Sequence, residues 1–273
     1  MEAARQAWRR LEPVHSMIYF VPEGTERYGA LGLDPRSGYF ASRSAAFGRA
    51  SAEIVVATFY NFNPAMVRRV LPAAWDAASP EQVLAARADA AGAALRRAAI
   101  DRLPDLQETL ALARRAAEAA CDHAQGRPLF AAHAALPWPD EPILQLWWAQ
   151  TLLREFRGDG HIAILTAEGV TPLEALVLHS ATGTLPTPFL KATRAWSADE
   201  WDATAERLRG RGLLDGESLT AAGKDFRQRI EDRTDALALP AYSALGEEGC
   251  ERLAELARPY GRAVVDAGLL NPA

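Results

Sequence analysis

The stretch Arg154-Glu155-Phe156-Arg157-Gly158-Asp159-Gly160-His161 puts five ionisable side chains into eight residues, between two apolar segments. Burying that many charges is costly unless they pair with one another or with a ligand, so the stretch is a candidate site. Arg154 or Arg157 would grip a carboxylate or phosphate through two parallel N–H bonds, while Glu155 or His161 would move a proton with Asp159 beside them. A purely structural reading accounts for the same residues. Arg157 complements a helix C-terminus, Asp159 caps the next helix, Arg154 pairs with a surface carboxylate and His161 packs in a first turn.

A second cluster joins Phe59-Tyr60-Asn61-Phe62-Asn63 to Trp138, Trp147 and Trp148. Aromatic rings with interspersed amides suit a flat organic ligand, whose faces stack and whose edges hydrogen-bond. The competing reading is an aromatic core between two lobes, with Asn63-Pro64 as a turn. His133, set among alanines, reads as a core histidine whose place before a Pro/Trp connection also lets it line the cavity. Tyr19, at helical spacing from His15, and Arg43 are further lining candidates.

Several chemistries are disfavoured. The chain has no Gly-x-Ser-x-Gly elbow, Walker loop, dinucleotide fingerprint or His-Glu-x-x-His helix, and its five histidines show no metal-ligand spacing. No cofactor and no metal are therefore expected. Cys121 and Cys250 stand far apart and argue against a disulfide framework. No run approaches the roughly 20 apolar residues of a membrane span, so the expectation is a soluble, cytoplasmic protein with no membrane partner.

These residues need a scaffold. The 273 residues, 49% hydrophobic and 24% charged, exclude wholesale disorder and suggest two domains or two lobes. Alanine, leucine, arginine and glutamate recur at helical spacing, which predicts a mainly α fold with minimal β-hairpins. Helices are expected over about 2–11, 79–102 and 105–123, with a Gly/Pro-rich loop over 21–38. A helix from Ile143 is expected to stop at Gly158, with Asp159 capping a short helix to about Ala167. The proline-rich segment LPWPDEP (136–142) places a lobe boundary near 126–142, giving an N-terminal lobe 1–125 and a C-terminal lobe 126–273. In the last third, Ser197 caps one helix, Leu213 to Leu219 forms a small hairpin around Asp215-Gly216, and Thr220 caps a long helix. Those are the parts of a winged helix-turn-helix. Gly32-Leu-Asp-Pro, Gly48 and Phe62-Asn63 find echoes about 135 residues later in Gly169-Val-Thr-Pro, Gly183 and Trp196-Ser197, which suggests a tandem arrangement whose first copy is degenerate.

At GRPLFAAHAALPWPDEP (126–142), LLREFRGDGH (152–161), RAWSADEW (194–201) and RGLLDGESLTAAGK (211–224) the chain resembles a large actinobacterial helix-turn-helix, MarR-like group. The resemblance implies a winged-helix fold and little about activity. That group's pattern carries His where Phe156 stands and Asn where His133 stands, so no role is carried over to those two positions.

A winged helix that reads DNA needs positive charge on its recognition helix and wing, because phosphate neutralisation supplies most of the affinity. The net charge of the chain is −5, and between Lys191 and Arg233 nine basic residues face nine acidic ones. The presumed recognition helix opens with Asp199, Glu200 and Asp202. The expectation is therefore a small organic molecule bound in a cleft between two lobes, with or without acid/base catalysis. A ligand-responsive, dimeric DNA-binding regulator is the alternative.

Overall fold

The computed structural model describes residues 1–271. Among them fourteen α-helices and one two-stranded hairpin follow in the order α1 (Glu2–Ser16), α2 (Pro22–Ala30), α3 (Pro35–Ser44), α4 (Ala52–Phe59), α5 (Pro64–Ala77), α6 (Pro80–Arg97), α7 (Leu106–Cys121), α8 (Pro128–Ala134), α9 (Pro142–Ala167), α10 (Pro172–Ser180), α11 (Thr187–Arg194), α12 (Ala198–Gly210), β1 (Leu214–Asp215), β2 (Ser218–Leu219), α13 (Ala221–Ser243) and α14 (Gly246–Asp266). The fold is mainly α. Proline punctuates this chain without breaking it, because Pro22, Pro35, Pro64, Pro80, Pro128, Pro142 and Pro172 all stand in a first helical turn, where no N–H is missed. Asp34, Asn63, Ser79, Thr171, Ser197 and Thr220 cap the following helices through their side-chain oxygens.

The apolar side chains gather into three cores. The first joins α1, α7, the first half of α9 and α14, with parts of α6, α8 and α13. Its closest approach is at Gly261, where a β-carbon would lie 2.1 Å from the Arg10 carbonyl oxygen. The second core gathers α3, α4 and α5 with residues of α2 and α6. The third holds the end of α9 with α10, α11, α12, the hairpin and the start of α13. Helix α9 thus runs about 39 Å through the molecule at 1.5 Å per residue. Its ends serve two cores, and its middle is left between them.

Several local expectations are corrected. The segment 21–38 is not a loop: Pro22 opens α2, and Asp34-Pro35 opens α3. Helix α1 continues past Leu11 to Ser16 and holds Pro13 within it. Helix α9 does not stop at Gly158 but passes unbroken through Gly158 and Gly160. A glycine inside a helix costs about 1 kcal/mol, and the burial of Phe156, Asp159, Ile164 and Leu165 on the same helix outweighs it. Asp159 therefore caps no helix of its own; its carboxylate instead accepts the backbone N–H of Phe130 in α8 at 2.9 Å.

The internal echo has a backbone counterpart. Gly32 and Gly169, and Gly48 and Gly183, all take positive φ, as do Tyr60 and Ala195 at the ends of α4 and α11. The two loops that follow α4 and α11 touch. Asn63 N–H donates to the Arg194 carbonyl at 3.0 Å, and Trp196 Nε1–H donates to the Asn61 carbonyl at 3.0 Å.

Candidate functional site: a charged aromatic cavity beside helix α9

Between the second and third cores lies a cavity of about 410 Å3. One wall is the middle of α9, which supplies Arg154, Glu155, Gly158, Asp159 and His161. These positions fall on one face of a helix, and a β-carbon at Gly158 would lie 3.7 Å from Glu155 Oε2, an ordinary contact. The opposite wall is the end of α4 and the loop after it, with Phe59, Tyr60, Asn61 and Phe62. Tyr60 has φ 55°, a strained conformation for a bulky residue, and its hydroxyl donates to the Val170 carbonyl across the cavity rim.

Of the residues singled out from sequence, Glu155, Asp159, His161, Arg154, Arg43, Phe59, Tyr60, Asn61 and Phe62 line this one cavity. Several others do not. Arg157 points away, to Glu231 at 2.8 Å and Asp235 at 2.9 Å, and stacks over Trp8. Trp138 lies under Arg114 on another face. Trp147 is buried in the first core and stacks on His15. His133 is fully buried, its Nδ1–H donating to the Leu129 carbonyl at 2.9 Å. Tyr19 stands one layer behind, against Tyr39 and Arg43. Trp147 and Trp148 both lie in the first core, on the half of α9 that precedes the cavity wall.

Tyr39, Thr58, His179, Arg194, Arg227 and Glu231 complete the cavity and were not among the sequence candidates. Arg194 had a signal in the echoed motif, because it immediately precedes the left-handed Ala195 that matches Tyr60. The others come from helices whose facing could not be read from spacing alone.

The charges are arranged unequally. Arg43 Nη2 lies 3.7 Å from Glu155 Oε2, its Nη1 donates to the Tyr39 hydroxyl at 3.0 Å, and its guanidinium sits 4.1 Å over Phe59. Arg154 pairs with Glu12, and Arg227 with Glu231 at 3.6 Å. Burial by itself pushes the Glu155 carboxyl up, but Arg43, Arg154, His133 and Arg87 together hold it below the usual range, so it is ionised at neutral pH. Asp159 lacks such partners. Burial pushes it up to about 7, only partly offset by the N–H of Phe130. His161 is held down to about 4, chiefly by burial, and is neutral.

The hydrogen-bond network fixes two histidine tautomers. Thr234 Oγ1 donates to the Ile230 carbonyl, so it accepts from His161 Nδ1–H at 3.0 Å, which leaves His161 Nε2 unprotonated. Thr151 Oγ1 donates to the Trp147 carbonyl, so it accepts from His15 Nδ1–H at 2.8 Å, and the Tyr19 hydroxyl then donates to His15 Nε2 at 2.8 Å. Among the described residues no His, Cys, Asp and Glu side chains gather as a metal site. What the cavity offers is one carboxyl that titrates near neutrality, two carboxylates, two imidazoles and four guanidiniums around aromatic rings.

The comparison with protein families covers almost the whole chain: a family described as a helix-turn-helix family matches residues 4–271. The chain belongs to this helix-turn-helix family. No curated protein and no solved structure matches it. Along the chain α10, α11 and α12 precede the hairpin, and α12 is the helix that sequence order assigns to groove reading. Its exposed face begins with Asp199, Glu200 and Asp202, and the hairpin tip carries Asp215 and Glu217. The nearby arginines are engaged, Arg209 with Glu206 at 2.8 Å and Arg207 with the Thr204 hydroxyl at 2.8 Å. No single helix among the described residues is long and apolar enough to cross a membrane.

Proposed function

We propose that this helix-turn-helix chain binds a small organic molecule in the cavity beside α9. The observation that carries this reading is the contrast between two surfaces. The cavity concentrates guanidiniums, carboxyls and aromatic rings in a concave space within the size range of small-ligand sites. The outer face that would meet DNA is acidic at both the helix and the hairpin tip. Phosphate backbones are attracted by cationic surplus, and none is present there.

In this reading the N-terminal lobe, 1–125, and the C-terminal lobe, 126–273, are tandem winged-helix units, the first without a hairpin between α5 and α6. Their matching loops meet at Asn61, Asn63, Arg194 and Trp196, beside the cavity. The catalytic form of the proposal assigns proton transfer to Asp159, the one carboxyl poised near pH 7, with Glu155 as the fixed negative charge and His161 Nε2 as an acceptor.

Family membership favours one rival, a ligand-responsive DNA-binding regulator of two-fold symmetry. The test compares thermal unfolding in the presence of a panel of aromatic acids, amides and amines with polarisation binding to duplex DNA at low salt. The proposal expects a saturable rise in melting temperature with members of the panel and weak DNA binding without sequence preference. Tight, sequence-selective and salt-sensitive DNA binding with no ligand effect overturns it.

A further inference from the structure

The cavity carries more positive charge than its carboxylates neutralise. Three of its arginines are paired: Arg43 with Glu155, Arg154 with Glu12 and Arg227 with Glu231. Arg194 is not. Its Nη1 donates to Thr193 Oγ1 at 2.8 Å and its Nε to Asn61 Oδ1 at 3.3 Å, both neutral acceptors, and no carboxylate among the described residues pairs with it. A largely sheltered guanidinium without a counter-charge is costly, and the cost falls when an anion arrives.

The placement of Arg194 gives the shape of that anion. Its guanidinium carbon lies 4.4 Å over the Phe62 ring, while that of Arg43 lies 4.1 Å over Phe59. Phe59 and Phe62 are neighbours with centroids 6.5 Å apart, and Tyr39 joins Phe62 at 5.6 Å. One aromatic strip therefore has a cation at each end, and only the cation at Phe62 lacks a partner. A second imbalance lies behind the wall. The buried Arg87 donates only to the Ser42 carbonyl, leaving Nε and Nη2 without partners, and no carboxylate among the described residues pairs with it.

Building on the cavity reading above, we propose that the ligand is an aromatic anion, its ring against Tyr39, Phe59 and Phe62 and its negative group on the Arg194 guanidinium. A carboxylate, sulfonate or phenolate supplies the missing counter-charge, and a ring matches the strip better than a chain does. A cationic amine is repelled from this end of the cavity by Arg43 and Arg194 together.

The experiment uses two fluorescent probes that share an aryl frame and differ in charge, 1-anilinonaphthalene-8-sulfonate and the uncharged N-phenyl-1-naphthylamine, titrated into the full chain and into Arg194→Gln. The expected result is one-to-one binding of the sulfonate, about tenfold tighter than the neutral probe, with that preference lost in the variant. Equal affinity for both probes in the wild-type chain overturns the anion assignment while leaving the cavity reading in place. No saturable binding of either probe overturns the cavity reading and the assignment with it. Where Arg194→Gln fails to fold, the wild-type preference between the probes decides alone, and Arg194→Lys, which keeps the charge, is expected to retain it.

Discussion

Asp159 is the residue whose environment differs most from that of its neighbours. Its carboxyl is pushed to about 7 by burial, against an ordinary value near 4 for a free aspartate. The folded chain therefore holds this proton more tightly than the unfolded chain does. Stability from this group is full below pH 4, declines as the pH rises to about 7 and then levels off. Asp159→Asn, which can still accept the Phe130 N–H, is expected to flatten that decline when unfolding free energy is followed from pH 4 to 8, and a carboxyl NMR titration is expected to place the midpoint near 7. A midpoint near 4 contradicts the burial argument. Arg157 presents the opposite case. It bridges two carboxylates that each meet a second arginine, Glu231 with Arg227 and Asp235 with Arg5, so Arg157→Met is expected to cost about 1 kcal/mol in denaturant unfolding while leaving cavity binding intact. A loss of binding with unchanged stability would instead place Arg157 in the site. The octapeptide was legible as a charged cluster, because five ionisable groups in eight residues stand out in any sequence. Which of its arginines faces the cavity was not legible, because that depended on the helix continuing through two glycines.

At the scale of elements, capping made the fold readable. Ser197, Thr220 and Ser79 each stand at the start of the helix expected from sequence, since their side-chain oxygens satisfy first-turn N–H groups, reinforced at Ser79 by a proline and at Ser197 by acids. The failures occurred where tertiary packing outweighs local preference. Gly158 and Gly160 read as a turn, yet α9 is held at its two ends by the first and third cores. Residues 21–38 read as a loop because helices as short as α2 and α3 gain their stability from packing rather than from propensity. The close crossing of α1 and α14 makes a direct prediction. In Gly261→Ala the new methyl meets the backbone oxygen of Arg10, which cannot swing aside, so a loss of about 2 kcal/mol or more is expected in thermal or denaturant unfolding. An unchanged melting temperature contradicts that crossing.

Across the whole molecule, the sequence made a helix-turn-helix frame visible and gave the charge argument against groove reading, since both depend on residue order and counting. The cavity itself was not visible. It arises where α9 passes between the second and third cores, a relation between residues more than 90 positions apart. Gly158 lies in its wall, on a helix, where an added β-carbon would make an ordinary 3.7 Å contact with Glu155 Oε2. Gly158→Leu is therefore expected to strengthen α9 by roughly 0.5–1 kcal/mol through helix propensity while filling the cavity. Titration of 1-anilinonaphthalene-8-sulfonate into the wild-type chain and Gly158→Leu, with melting temperatures recorded alongside, tests the central claim most directly. The account predicts saturable binding to the wild type and none to a variant that melts at the same temperature or higher; undiminished binding by an equally folded Gly158→Leu contradicts it.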